Sequence, residues 1–160
     1  MQDLISRLEY DIVVHAGDLC VEEVLEWVKS LGGEVYVVRG NMDDLPLPDH
    51  VVFDVDGIRV GVVHGHQVYP RGDIPKLTRI AKRMGARILI TGHTHRPHYV
   101  IHEGVVHVNP GSLTGVWGGG GGSLKPSLAY LIVDDGEVSV TIFEDRAGRV
   151  VKIVEERTRL

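Results

Sequence analysis

At 160 residues, 43% hydrophobic and 24% charged, the chain is long enough for one domain with a real core and too short for two comfortable ones. Its formal charge of -5 argues against a broad nucleic-acid surface, since phosphate backbones reward basic patches, and no apolar run approaches the ~18 to 20 residues that span a bilayer. A single cysteine, Cys20, excludes an internal disulfide and a thiolate-rich metal site, and no basic stretch with an apolar core opens the chain, so the expectation is a soluble, cytoplasmic protein.

In chain order, Leu4, Ile5 and Leu8 share one face of a helix expected over residues 2–9. "YDIVVHAG" reads as a short buried strand, "CVEEVLEWVKSL" as a helix ended by Gly32 and Gly33, and "EVYVVRG" as another strand. After a loop carrying Pro46 and Pro48, "HVVFDVDGIRVGVVHG" predicts two strands joined at Asp56-Gly57. A helix over 73–84 ends at Gly85 and leads into "RILITG". The remainder is strand after strand: "HYVIHEGVVHVN" turning at Glu103-Gly104, "SLAYLIVDDGEVSVTIF" turning at Asp135-Gly136, and "RVVKIVEE". The glycine run from Gly118 to Gly122 reads as a flexible surface loop with no chemistry of its own.

The chemistry gathers at strand ends. "ILITGHTHRPH" follows an apolar strand with His93, His95 and His98, a pattern that serves a metal-binding loop or a merely polar turn. Asp18, Asn41, His64 and His93 stand just past the carboxyl ends of "DIVVHAG", "EVYVVRG", "IRVGVV" and "RILITG", the edge where loops of an open α/β sheet converge on ligands. Four metal-type side chains on one edge are hard to explain as surface polarity. Mixed nitrogen and oxygen donors without sulfur favour manganese, iron, nickel, zinc or cobalt, and a carboxylate such as Asp18 can bridge two cations where an imidazole cannot. His15, His50, His98, His102 and His107 read as strand or loop histidines, Asp43 as orienting the loop around Asn41, and Asn109 as a turn residue beside the site.

"GD" at 17–18, "GNMD" at 40–43, "HGH" at 64–66 and "GHTH" at 92–95 resemble, in order and spacing, the calcineurin-like metallophosphoesterase superfamily. "VRGNMD", "HGHQVYPRGD", "ILITGHTH" and "VNPGSLTG" look like its small single-domain branch, which contains prokaryotic phosphodiesterases and a eukaryotic retromer subunit. The resemblance implies an α/β fold, a two-sheet β-sandwich flanked by helices, with two divalent metal ions, usually manganese or nickel-like. It implies that Asp18 bridges both, that Asn41, His64 and His93 complete one, and that His95 binds the other. Such an ion pair activates a bridging hydroxide toward a small phosphoester. Asp18, Asn41 and His66 are the candidate catalytic residues, and a homo-oligomer is compatible with this reading.

Two departures qualify the resemblance. Many members carry histidine directly after the motif asparagine, where it protonates the leaving group; here Met42 stands there, leaving His66 as the candidate acid and favouring diesters with good leaving groups. The family also opens with a strand ending in Asp-x-His, absent before Asp18, and a βαβ unit needs its first strand. The expectation is one metallophosphoesterase domain over 1–160, N-terminally incomplete by roughly 20 residues through a late start site or a shortened chain rather than a natural chain that does without the strand, with a weak second metal position. The alternative is a non-catalytic protein-binding scaffold like the retromer subunit. That subunit has asparagine at the place of Asp18 and aspartate at the place of Asn41, so the pair present here is the enzyme-like one.

Overall fold

A computed structural model of the chain describes residues 1–120 and 122–160. Its centre is a five-stranded sheet in the order β3 (His50–Val55), β4 (Ile58–Val63), β5 (Ile88–Thr91), β7 (Val105–Asn109), β6 (His98–His102). β4, β5 and β7 run parallel, and β3 and β6 pair antiparallel at the two edges. Period-two alternation gives this sheet two apolar faces. Ile58, Val60, Val62, Ile88, Ile90, Val106 and Val108 point to one side, where they meet Val138, Val140 and Ile142. Those three belong to β9 (Glu137–Arg146), the middle strand of an antiparallel ladder with β8 (Ser127–Asp134) and β10 (Arg149–Arg159). The result is a sandwich closed by interdigitating branched side chains.

On the opposite face Val63, Leu89 and Val105 pack under Leu77 and Ala81 of α3 (Ile74–Met84), the crossover between β4 and β5. α3 begins where the Asp73 carboxylate accepts the Lys76 amide at 2.9 Å, and it stops at Gly85, whose φ of 68° ends the helix without a Cβ penalty. α2 (Glu22–Ser30) lays Val24, Leu25 and Val28 on a parallel pair, β1 (Ile12–His15) and β2 (Glu34–Val37).

Two expectations need correction. The helix expected over 2–9 is the single turn α1 (Gln2–Ile5), which has no side-chain N-cap and no buried residue. One turn with nothing apolar to bury against does not propagate. β1, a buried strand by its sequence, has all four residues only half-buried. The reason lies on its side away from β2. β1 and β8 are each the end strand of their ladders, and both line a single cavity of about 1310 Å³ floored by Phe53, Val60, Ile90 and Val108.

Beneath the five-stranded sheet the Thr78 hydroxyl donates to the Ile74 carbonyl at 2.8 Å. It accepts from His102 Nδ1 and His107 Nε2, each at 2.9 Å. His107 is fully buried, and burial, aided by the neighbouring His98 and His102, pushes its pKa down to about 4. Thr78→Val keeps the shape and removes the acceptor from two imidazoles, so chemical denaturation should show a loss of ~1 to 3 kcal/mol. The folded-state pKa lies below the ordinary 6.5, so the unfolded chain protonates first. Stability should therefore fall as pH drops from 6.5 toward 4, and less steeply in His107→Gln, as pH-dependent melting would reveal.

Candidate metal centre

The loops after β1 and β2 meet so closely that side chains are excluded between them. A Cβ on Gly40 would lie 2.1 Å from Asp18 Oδ1, and one on Gly17 would lie 2.7 Å from the Gly40 amide nitrogen. Asp43 ties the two loops together. One of its carboxylate oxygens accepts the amides of Asp18 at 2.8 Å and Gly40 at 2.7 Å, and the other accepts the Cys20 amide at 2.8 Å. This goes beyond the expected orientation of the Asn41 loop: the same carboxylate sets the backbone of Asp18, which holds the left-handed φ of 61°. An amide cannot accept three such bonds, so Asp43→Asn should cost ~1.5 to 3 kcal/mol in denaturation and loosen both loops.

Within this frame His64 is almost fully buried. Its Nδ1–H donates to the Ala16 carbonyl at 2.6 Å, which fixes the tautomer and turns the Nε2 lone pair inward. Nε2 then faces two oxygens, Asn41 Oδ1 at 3.2 Å and Asp18 Oδ2 at 3.4 Å. Met42 donates its amide to the other Asp18 oxygen at 2.9 Å. His93 stands edge-on to His64 with ring centroids 5.1 Å apart, and His66 lies 5.4 Å from His64 and 6.3 Å from His93. The structure thus brings Asp18, Asn41, His64, His66 and His93 together. It does so from two sheets, β1–β2 and β4–β5, where the strand-end pattern had implied one.

The protonation states suit cation binding. Burial opposes ionisation of Asp18, but the Met42 amide and the adjoining His64 and His93 rings outweigh it and bring its pKa to about 2. Burial, with Arg71 and His64 nearby, lowers His93 to about 4, leaving its imidazole neutral at pH 7. His66 is also lowered by burial and by His64, and its Nδ1 is buried with no partner among the described residues.

His95 is placed differently. Its Nδ1–H donates to the Val116 carbonyl at 2.8 Å; a Cβ on Gly118 would fall 2.7 Å from its ring, and one on Gly122 would fall 2.6 Å from its backbone carbonyl oxygen. His95 and Asp18 line the same cavity, at the end of the slot between β1 and β8. The glycine run expected to be a featureless surface loop therefore supports a candidate ligand; Gly121 lies outside the described residues. Asn109, fully buried, donates to the Gly92 carbonyl at 2.7 Å and to Thr94 Oγ1 at 3.1 Å, which shapes the loop bearing His93 and His95. Among the described residues no three His, Cys, Asp or Glu side chains form a metal-holding group by themselves, so the convergence of Asp18 and His64 depends on the Asn41 amide as third donor.

Comparison with known proteins bears on the family and the fold. The calcineurin-like phosphoesterase superfamily domain matches residues 2–135. A probable metallophosphoesterase of Methanocaldococcus jannaschii is 43% identical over 104 residues, covering 65% of this chain and 54% of that protein; the chain spans about half the length of that relative. Vacuolar protein sorting 29 of Cryptosporidium parvum superposes with a TM-score of 0.91 at 25% identity, covering 99% of this chain and 87% of that one. Wild-type Vps29 of Entamoeba histolytica complexed with zinc gives a TM-score of 0.84 at 31% identity over the same shares, 99% and 87%. The strand-end motifs, the sandwich and these likenesses together establish that the chain belongs to the calcineurin-like phosphoesterase superfamily.

Proposed function

We propose that the chain is a divalent-metal-dependent phosphoesterase acting on a small phosphoester, most readily a diester. One observation carries the reading: a tautomer-fixed imidazole lone pair, His64 Nε2, is aimed at the oxygens of Asn41 and of an ionised Asp18. With Nε2 unprotonated, these three electron-rich atoms repel unless a cation stands among them; a proton on Nε2 would relieve the same repulsion, and a divalent ion is the occupant that uses all three donors. In this reading Asp18, Asn41, His64 and His93 hold one ion, and Asp18 and His95 contribute to a second position.

Bound divalent ions would supply Lewis acidity toward phosphoryl oxygens and acidify water at neutral pH. The chain's own residues do the rest. Asp18 would provide the negative charge shared by bound cations, and Asn41 would add an oxygen without charge, leaving a loaded site net positive toward an anion. His66, with its ring beside those of His64 and His93, would be the residue to exchange a proton with a departing oxygen. The exposed Met42 side chain gives no such help, so aryl diesters should outpace alkyl monoesters. Hydrolysis of bis-p-nitrophenyl phosphate, abolished by EDTA and restored by manganese or nickel, is the expected result. Turnover indifferent to both would sink the proposal.

We propose further that the slot between β1 and β8 takes one extended strand, which would join the two-stranded and three-stranded ladders. A second reading, a protein-binding scaffold, rests on the likeness to Vps29. Binding of a partner with no hydrolysis in a protein whose slot is filled would favour it.

A further inference from the structure

Two large aromatic side chains stand exposed on neighbouring loops, Tyr69 at 84% and Trp117 at 70%. The loops that carry them are tied together by Arg71. Its Nη1 donates to the Gly118 carbonyl, and a Cβ on Gly120 would come within 3.0 Å of the same nitrogen. Trp117 therefore sits between Val116, whose carbonyl holds His95, and Gly118, whose carbonyl holds Arg71. Gly118, whose carbonyl Arg71 holds, also abuts the His95 ring, and a Cβ on Gly72 would lie 3.0 Å from Thr94 Cγ2, between His93 and His95, so the guanidinium stands near the candidate ligands.

Neighbouring cations are neutralised within the protein: Arg39 pairs with Asp49 at 2.7 Å and Lys76 with Asp73 at 3.7 Å. Arg71 has no carboxylate partner among the described residues. A planar guanidinium with spare donors matches phosphate oxygens in bidentate fashion, and an exposed indole offers a face on which a planar ring can stack.

We propose that Arg71 and Trp117 form a nucleotide subsite, Arg71 binding oxygens of the reacting phosphate and Trp117 stacking on the base attached through the sugar. The substrate class is then a nucleoside phosphodiester. This rests on the proposed function in taking the Asp18 to His93 cluster as the place where phosphate reacts. A single uncompensated arginine on a chain of net charge -5 selects a mononucleotide unit rather than a polymer, which would need a basic track.

The chain has two tryptophans, so Trp27→Phe leaves Trp117 as the only indole reporter. That protein is titrated with AMP, adenosine and ribose 5-phosphate in the presence of manganese, and calorimetry on the unaltered chain gives the same affinities without dependence on the Trp27 substitution. AMP should quench Trp117 and bind about 10-fold tighter than ribose 5-phosphate, consistent with stacking on one base. Trp117→Ala should erase that difference. Arg71→Ala should weaken AMP and ribose 5-phosphate alike by about 10-fold, with adenosine unchanged, and Arg71→Lys should recover only part because the fork is lost. Equal affinity for AMP and ribose 5-phosphate, or AMP binding insensitive to Arg71→Ala, would overturn the subsite. Hydrolysis of bis-p-nitrophenyl phosphate is measured in parallel. Metal-dependent turnover with no AMP preference rejects the subsite alone, whereas AMP bound as described with no turnover upholds the subsite and rejects the catalytic reading.

Discussion

Asp18→Asn should reduce metal-dependent hydrolysis by on the order of 10³-fold or more, since several kcal/mol of charge stabilisation are removed with the anionic donor. The substitution is unusually clean. Asp18 holds a φ of 61°, and asparagine tolerates the left-handed region better than other residues with a Cβ. The side-chain oxygen of the introduced asparagine can still accept the Met42 amide, and Asp43 still accepts the backbone amide at position 18. Folded stability should therefore change by no more than about 2 kcal/mol. What changes is the face toward His64: an ionised oxygen becomes a neutral amide, and the demand for a cation between them goes. Steady-state kinetics with manganese, alongside thermal melting, separates the two effects. Turnover unchanged in Asp18→Asn would remove the charge argument, and a collapsed fold would mean that the carboxylate is structural.

Filling the slot should have the second large effect. β1 and β8 each present an unpaired edge to the same cavity, and its floor is apolar. A strand of about five residues spans about 17 Å and could pair with both edges. Placed before α1 and joined to β1 through a crossover, it would run parallel to β1, because a crossover carries the chain back to the end where the next strand starts. Its carboxyl end would then reach the end of the slot where Asp18 and His95 stand, so carboxylate and imidazole donors there would complete the second metal position. A chain extended upstream by an apolar strand ending in Asp-x-His should melt several degrees higher, since ~1 kcal/mol moves a domain of this size by ~2 to 4 °C. Its turnover should rise at least about 10-fold, in line with a completed second ion. Differential scanning calorimetry and the same hydrolysis assay are the readouts. An extended chain with an unchanged melting temperature and unchanged turnover would show that the slot is not a strand site.

Much of this architecture is legible in the residues alone. Alternating branched residues in "RILITG" and "GVVHVN" mark β5 and β7, and Asp-Gly and Glu-Gly pairs mark the hairpins, because those turns demand φ above zero at defined positions. The placing of Asp18, Asn41, His64 and His93 past strand ends puts them near one another, since parallel strands aim their following loops at the same edge. Three things are not legible, each for the same reason: they depend on contacts distant in sequence. Asp43 reads locally as a turn residue, yet it fixes Asp18 and Cys20, more than twenty residues away. The glycine segment reads as a loop, yet its close approach to His95 and Arg71 is what excludes side chains there. The helix expected over 2–9 has the right periodicity, but periodicity does not say whether a surface exists to bury it.

The central claim, that Asp18, Asn41, His64 and His93 hold a divalent ion, is tested most directly by anomalous scattering from crystals of this chain soaked in manganese. The account predicts one strong peak bounded by those four side chains and a weak one toward His95. No peak between His64 Nε2 and the oxygens of Asp18 and Asn41, with manganese bound elsewhere on the chain or not at all, would contradict it.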